Sequence, residues 1–516
     1  MSKPITNSTD FKLAICNFTT EDSITLYWDK PQDFRKGDYY KIDFNKQFVY
    51  TTDKTHFEMD GLKANTPYLI QIQWLRTGHT ENSICHQTIL LNTQKEKQRL
   101  DITKAPYFAI GDGQTMNTQA IQHAIDDCKE NQKVYIPKGI YRTGSLRLHS
   151  NMELYLESEA VLQGTDDPND YLPKIQSRFE GIELMCYSSL LNLGTLDHKS
   201  GFHCENVIIR GNGTIASGGK RLAEKIIAQE SSNLKNYLTS LGDKINEYEK
   251  PETIPGRVRP RLINMSNCKN IILSGLTLKN GASWNVHMIY SKDIVTNNCT
   301  FYSKDVWNGD GWNPDSSSDC TIFHCVFYTG DDSISIKSGR NPQGNQINRP
   351  CKNIRIFDCQ TVLGHGITIG SELSGGIKNI SIWDCDITCS TYGIEIKGTK
   401  KRGGYVRNVH VRDCCVPRIL FHSVSYNDDG ISAGAPPIFE TCYFENLHIL
   451  GNYMEEENQW TACQAIELSG FDEPEYELQH IIFKNITLGY PGQKQRQMIA
   501  LEYCRNITLE NISSLD

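Results

Sequence analysis

The run CKNIRIFDCQTVLGHGITIGSELSGGIKNISIWDCDITCSTYGIEIKG, residues 351–398, decides the fold because it says one thing twice. Asn353 opens NIRIFDC and Asn379 opens NISIWDC, and each leads into a glycine-broken phrase built on an Ile-x-Ile pair, Ile367/Ile369 and then Ile394/Ile396. Aliphatics alternating over so few residues read as short strands rather than helices. Outward from this stretch the same opening returns as NVIIRG at Asn206, NIILSG at Asn270, DIVTNN at Asp293, NVHVRD at Asn408, NLHILG at Asn446 and NITLEN at Asn506. Steps such as 270 to 293, 353 to 379, 379 to 408 and His480 to 506 span 23 to 29 residues. Self-similarity at that period, carried by strands, indicates a coiled β array; a leucine-rich solenoid would need a leucine ladder that is missing. The expected architecture is all-β, a right-handed parallel β-helix over residues 105–516, with asparagines stacked at turns and aliphatics filling the bore. Cys299, Cys325, Cys359, Cys385 and Cys414 recur at one place in the repeat, as small buried packing residues do.

Residues 1–95 alternate differently, as antiparallel strands: SITLYWDKP from Ser23, YYKIDFN from Tyr39 and PYLIQIQW from Pro67. With Trp28 and Pro31 in LYWDKP, and Leu62 and Tyr68 in GLKANTPYLIQI, this segment resembles a fibronectin type III domain. That resemblance implies a small β-sandwich with the tryptophan in its core and the tyrosine in a corner hydrogen bond. Carbohydrate stacking by Trp28 and Tyr68 is the weaker alternative. Residues 96–104 read as a linker. Beyond it, GDGQTMNTQAIQHAIDDC (111–128) predicts a loop and an amphipathic helix that caps the solenoid, and with the following VYIPKG it resembles the start of many β-helical polysaccharide-degrading enzymes. Residues near 219–250 switch to helical spacing, either an insertion that shapes one end of a cleft or a plain surface excursion.

Composition narrows the function classes. Among 516 residues, 53 basic against 61 acidic leave a net charge of −8 with no basic tract, which argues against general nucleic-acid or anionic-membrane binding. No window approaches eighteen consecutive apolar residues, so no transmembrane helix is expected. The opening MSKPITNSTDFK lacks the shape of a secretory leader. A cytoplasmic location is expected, or a secreted or periplasmic one if a leader has been removed. The 18 cysteines form no CxxC pair, and neither a metal nor a cofactor is expected.

Four segments can be laid over one another: NGDGWNPD (308–315), GDDSISIK (330–337), GHGITIG (364–370) and YGIEIKG (392–398). If the isoleucines of each pair point into the bore, then Ser335, Lys337, Thr368, Glu395 and Lys397 point outward. Two residues back, Asp332 falls level with His365, and an ungapped alignment of the first segment puts Asp310 in the same row. Adjacent coils lie about 4.8 Å apart, so carboxylates in this ladder, with Asp331 beside it, should shift one another's pKa. Such coupling suits general acid–base chemistry.

Together the segments resemble the pattern of glycoside hydrolase family 28, the polygalacturonases and related pectin hydrolases: N-T-D-G, then G/Q-D-D, then G-H-G, then R-I-K. Here they stand as NGDG, GDD, GHG and EIK, in order. The resemblance implies a glycosidase that cleaves α-linked galacturonic acid from pectic oligosaccharides by inversion, and the amino-terminal module resembles bacterial exo-acting members. By the same implication Asp331 is the general acid, Asp310 and Asp332 activate water, His365 tunes or hydrogen-bonds the acid, and Lys397 holds a substrate carboxylate; Asn308, Glu395 and Arg402 are further candidates for substrate contact. Glu395 departs from the family's arginine. At the cleft mouth it would repel a carboxylate, so a rhamnogalacturonan-type substrate with a neutral leaving sugar stays open. A β-helical pectate lyase and a non-catalytic carbohydrate-binding solenoid are the remaining alternatives. A lyase needs a calcium-binding acidic cluster and a proton-abstracting base that this motif set does not supply. No nucleic-acid or membrane partner is expected, and the oligomeric state is not legible.

Overall fold

A computed structural model describes residues 13–76, 84–248, 250–426, 429–490 and 498–515. The opening twelve residues, on which the leader reading rests, lie outside that set. The chain divides into two compact units, Met1–Gln98 and Arg99–Asp516.

The first unit holds two antiparallel sheets. One orders Ile15–Thr19, Ile24–Trp28 and His56–Met59; the other orders Gln47–Thr52, Tyr39–Phe44, Pro67–Leu75 and Cys85–Asn92. Pro67–Leu75 alternates between buried and part-buried positions, the pattern of a strand with one face on a core. Trp28 is buried with its ring edge-on to Tyr40, centroids 5.0 Å apart. The Tyr68 hydroxyl accepts the Lys63 backbone N–H at 2.9 Å. Both aromatics are thus structural and unavailable for stacking on sugars.

The second unit is a parallel β-helix. Among the described residues its coils build three parallel sheets of 14, 8 and 11 strands. One turn runs through Cys268–Ser274 in the first sheet, Thr277–Lys279 in the second and Val286–Ile289 in the third, and then enters the first sheet again at Lys292–Asn297. The repeated asparagines explain the bends. Asn206, Asn270, Asn353, Asn379 and Asn408 all sit at φ between 55° and 59°, a left-handed conformation that asparagine tolerates better than most side chains. Their amides ladder from coil to coil: Asn206 donates to Asn151 and Asn270 to Asn206, both at 2.8 Å, while Asn379 donates to Asn353 at 3.0 Å. Asn446 departs from the sequence reading. It belongs to a second ladder at the next corner, donating to Asp413 at 3.0 Å and accepting from Asn485 at 3.0 Å. Thr441 (φ 58°) holds the first corner of that coil. The recurrent cysteines directly follow the second-corner residues and stack in the core, all 18 cysteines being free thiols.

Helix Thr118–Asp127 buries Ile121, Ala124 and Ile125 in the solenoid core, as a cap would. Part of the expected linker is not one: Gln98–Asp101 is a strand that lies beside Gln132–Ile136 at the end of the first sheet. Two excursions leave the coils. The first contains the antiparallel hairpin Ile175–Phe179/Ile182–Cys186. The second contains helices Gly219–Asn233 and Lys235–Leu241. Its Glu230 is buried, accepting the Tyr187 hydroxyl at 3.0 Å and pairing with Lys174 Nζ at 2.9 Å, so the helical excursion is fastened to the first.

Candidate active site

The site lies on the outward face of the third sheet, where four neighbouring strands run in register. Trp312 pairs with Ile334, Ile334 with Ile367 and Ile367 with Ile394, all buried in the bore. The intervening Ser335, Thr368 and Glu395 therefore form one row on the other face, and Asp310, Asp332 and His365 fall level two residues before Trp312, Ile334 and Ile367. The glycines of the motifs let these strand starts approach. A Cβ on Gly311 would stand 2.4 Å from the Ser333 carbonyl oxygen, and one on Gly366 (φ +103°) 2.2 Å from that of Gly393. Only glycine fits beside Asp310 and His365.

Asp331, its side chain 25% exposed, is the accessible carboxylate of the three. His365 Nδ1 lies 3.0 Å from Asp331 Oδ1 and 3.6 Å from Asp332 Oδ1. Asn308 Nδ2 donates to Asp331 Oδ2 at 3.4 Å, and its own Oδ1 accepts Arg259 Nη2 at 2.7 Å. Asp332 is buried and accepts Ser335 Oγ at 2.8 Å and Thr368 Oγ1 at 2.7 Å. Asp310 is buried with Lys337 Nζ at 3.6 Å, and Lys337 also pairs with Glu372 at 3.2 Å while its ammonium stands 4.8 Å from the Trp284 ring centre.

These surroundings separate the carboxyls. Burial pushes Asp310 well above the usual carboxylate range, and the neighbouring Asp331 and Asp332 charges add to that against Lys337. Burial works the same way on Asp332, but Lys397, the His365 hydrogen bond and Lys337 outweigh it and hold Asp332 below the usual range. For His365, burial opposes the charged form, yet Asp331 and Asp332 hold its proton well above the ordinary imidazole range. Asp331, Asp332 and His365 bring donor atoms within 4.8 Å of one another, close enough for a cation. The same geometry places His365 Nδ1 to donate a hydrogen bond to Asp331 Oδ1.

Of the residues expected to contact substrate, Lys397 stays partly exposed, and Asn308 is half-buried beside Asp331. Two expectations are corrected. Glu395 is 1% exposed and does not reach the cleft mouth: its carboxylate takes Lys397 Nζ at 2.8 Å and His422 Nε2 at 2.7 Å and stands 3.2 Å from Thr368 Oγ1. Glu395 therefore does not meet a substrate carboxylate directly; its charge is paired with that of Lys397. Arg402 is also buried. It donates to Asp429 at 2.7 Å, to Asn341 at 2.6 Å and to the Ser371 carbonyl at 2.9 Å, so it braces a loop and leaves no free face for a sugar.

The sequence reading missed several groups. Lys337 was legible as outward-facing but not as the counter-ion of Asp310. His422 pairs in register with Lys397 one coil on, and the signal was there: Ile419/Phe421 continues the row of Ile394/Ile396. Arg178 comes from the hairpin excursion and Arg259 from the stretch that follows the helical one, where no repeat points to them. Arg178, fully buried, pairs with Asp315 at 2.7 Å and contacts the Tyr290 hydroxyl, while His287 Nε2 lies 3.3 Å from the other Asp315 oxygen.

Comparison with known proteins sets this geometry in context. Residues 194–424, a span that includes each of these acidic and basic site residues except Arg178 and Asp429, match the glycosyl hydrolases family 28 profile. The chain is 25% identical over 554 residues to the exo-poly-alpha-D-galacturonosidase of Dickeya chrysanthemi, covering 98% of this chain and 91% of that protein. It is 32% identical over 319 residues to a probable polygalacturonase of Vitis vinifera, covering 59% and 58%. In fold it is similar to the family 28 exopolygalacturonase of Yersinia enterocolitica, with a TM-score of 0.79, 22% identity and 98% of both chains covered.

Proposed function

Since the chain is a glycosidase of glycoside hydrolase family 28, we propose that it releases galacturonic acid one unit at a time from the ends of pectic oligosaccharides, with inversion. The observation that carries this reading is the division of labour among three carboxyls. Asp331 faces the cleft with His365 Nδ1 3.0 Å from its Oδ1, while Asp332 is held ionised on the floor behind it. Asp331 gives its proton to the glycosidic oxygen as the bond to the anomeric carbon breaks, and a water attacks that carbon from the opposite face. Asp332 takes the proton that the water loses. Asp310, pushed up by burial, orients the same water, and His365 returns a proton to Asp331 for the next cycle. Lys397 meets the carboxylate of the sugar.

The exo mode is supported by similarity to an exo-acting relative along nearly the whole chain. Digestion of defined galacturonate oligomers tests the reading. Monogalacturonate is expected as the sole early product, and proton NMR should show it released with the anomeric configuration reversed. A spread of intermediate oligomers at early times would mean endo action. A product absorbing as an unsaturated uronide, formed only with calcium, would mean a lyase.

A further inference from the structure

Glu395 stands where the family pattern has an arginine, yet it is a hub rather than a surface charge. Its Oε2 takes Lys397 Nζ at 2.8 Å and faces Thr368 Oγ1 at 3.2 Å, while its Oε1 takes His422 Nε2 at 2.7 Å. Thr368 leads straight to the base, since its hydroxyl donates to Asp332 Oδ1 at 2.7 Å. A hydroxyl has one proton. Asp332 Oδ1 at 2.7 Å and Glu395 Oε2 at 3.2 Å both stand within its reach, so the position of Glu395 sets how fully that proton serves Asp332. Lys397 is the second link, because its ammonium is attracted by both Glu395 and Asp332. The direct 2.8 Å pair keeps it on the Glu395 side. Without that pair the ammonium would settle on Asp332 and take over the lone pairs that the water needs.

We propose that Glu395 is a positioning residue for the base Asp332, acting through Thr368 and through its hold on Lys397, and that it plays no part in choosing the leaving sugar. This rests on the reading of Asp332 as the base. The groups that surround Asp332 are Asp310, Asp331, His365, Lys337, Lys397 and the hydroxyls of Ser335 and Thr368; of these, Glu395 directly restrains Lys397 and Thr368. The departure from arginine is then a rewired floor beneath the cleft, in which a carboxylate and His422 together replace a cation.

Steady-state kinetics of Glu395→Gln on a galacturonate trimer and on an oligomer with a neutral leaving sugar test the proposal. The expected result is kcat lowered about tenfold on both substrates, KM within about twofold of the wild type, and an unchanged ratio of rates between the two. Thr368→Val should lower kcat similarly, and the double variant should lose little beyond either single one, because the two residues act in series. Glu395→Arg should also lower kcat with the ratio unchanged. If that buried arginine prevents folding, the Gln and Val variants still decide the matter. Full kcat in Glu395→Gln, additive losses in the double variant, or a fivefold or greater shift in preference carried by KM would each overturn the proposal. Wild-type turnover on the same oligomers reports separately on the substrate reading, so an active wild type with an unimpaired Glu395→Gln variant overturns only the positioning role.

Discussion

At the scale of the residue, three carboxyls on two neighbouring coils are given different duties by what lies beneath them. Asp331→Asn removes the proton donor while keeping shape, and turnover should fall by about two orders of magnitude or more. Asp332→Asn should do the same through loss of the proton acceptor; single-turnover rates on a galacturonate trimer check both. Lys337→Met makes a different case. It leaves the Asp310 and Glu372 carboxylates buried without their shared cation. Breaking a buried pair of this kind costs about 3–5 kcal/mol, so the variant should lose stability as well as activity, read as a lower denaturant midpoint. The alignment of Asp310, Asp332 and His365 was legible because isoleucine pairs set the register and side chains alternate. The burial of Glu395 and Arg402 was not. Alternation tells which face a side chain takes, but what covers that face comes from other coils and loops.

At the scale of the element, the excursions bring in charges that the repeat cannot. Hairpin Ile175–Phe179/Ile182–Cys186 sends Arg178 to Asp315, whose strand continues from Asp310. Burial would raise the Asp315 carboxyl, but Arg178 and His287 outweigh it and bring it down to about 2, below an ordinary value of 3.8. A depressed carboxyl stabilises the fold fully above its unfolded pKa and loses that contribution as pH falls through its folded one. About 2 kcal/mol should therefore vanish between roughly pH 4 and 2. Acid titration of the melting temperature should show a step in this window that Asp315→Asn lacks. The stretch after the helical excursion delivers Arg259, a fully buried guanidinium whose pKa burial lowers to about 9 and which holds Asn308 beside Asp331. Arg259→Met should lower kcat about tenfold with little change in KM, and a second change, Asn308→Ala, should add little to it. Strands and the cap were readable because their periods are fixed by backbone geometry. Helical spacing announced the second excursion too, but not where it docks, since a single amphipathic stripe does not name its mate.

At the scale of the whole molecule, two separate cores imply two separate meltings. The first unit packs Trp28, Tyr40 and Trp74 around its own centre. Thermal unfolding followed by tryptophan fluorescence and by far-UV dichroism should give transitions that do not coincide. Thiol chemistry should report the same anatomy. In the native chain a thiol reagent should label the exposed Cys415 and, more slowly, the half-exposed Cys16, Cys389, Cys463 and Cys504, with the remainder reacting only in denaturant. The ladders of left-handed corners also bear on how such a chain can change over generations. Each corner is a milestone that every coil passes, so gaining or losing an entire coil leaves both ladders in step and every isoleucine in the bore. Losing one residue within a strand does the opposite, swinging polar groups inward along that whole turn. Such a chain is therefore expected to tolerate change by whole coils, like links added to a bracelet, and to take piecemeal insertions where the backbone already leaves the sheets, as in the two excursions.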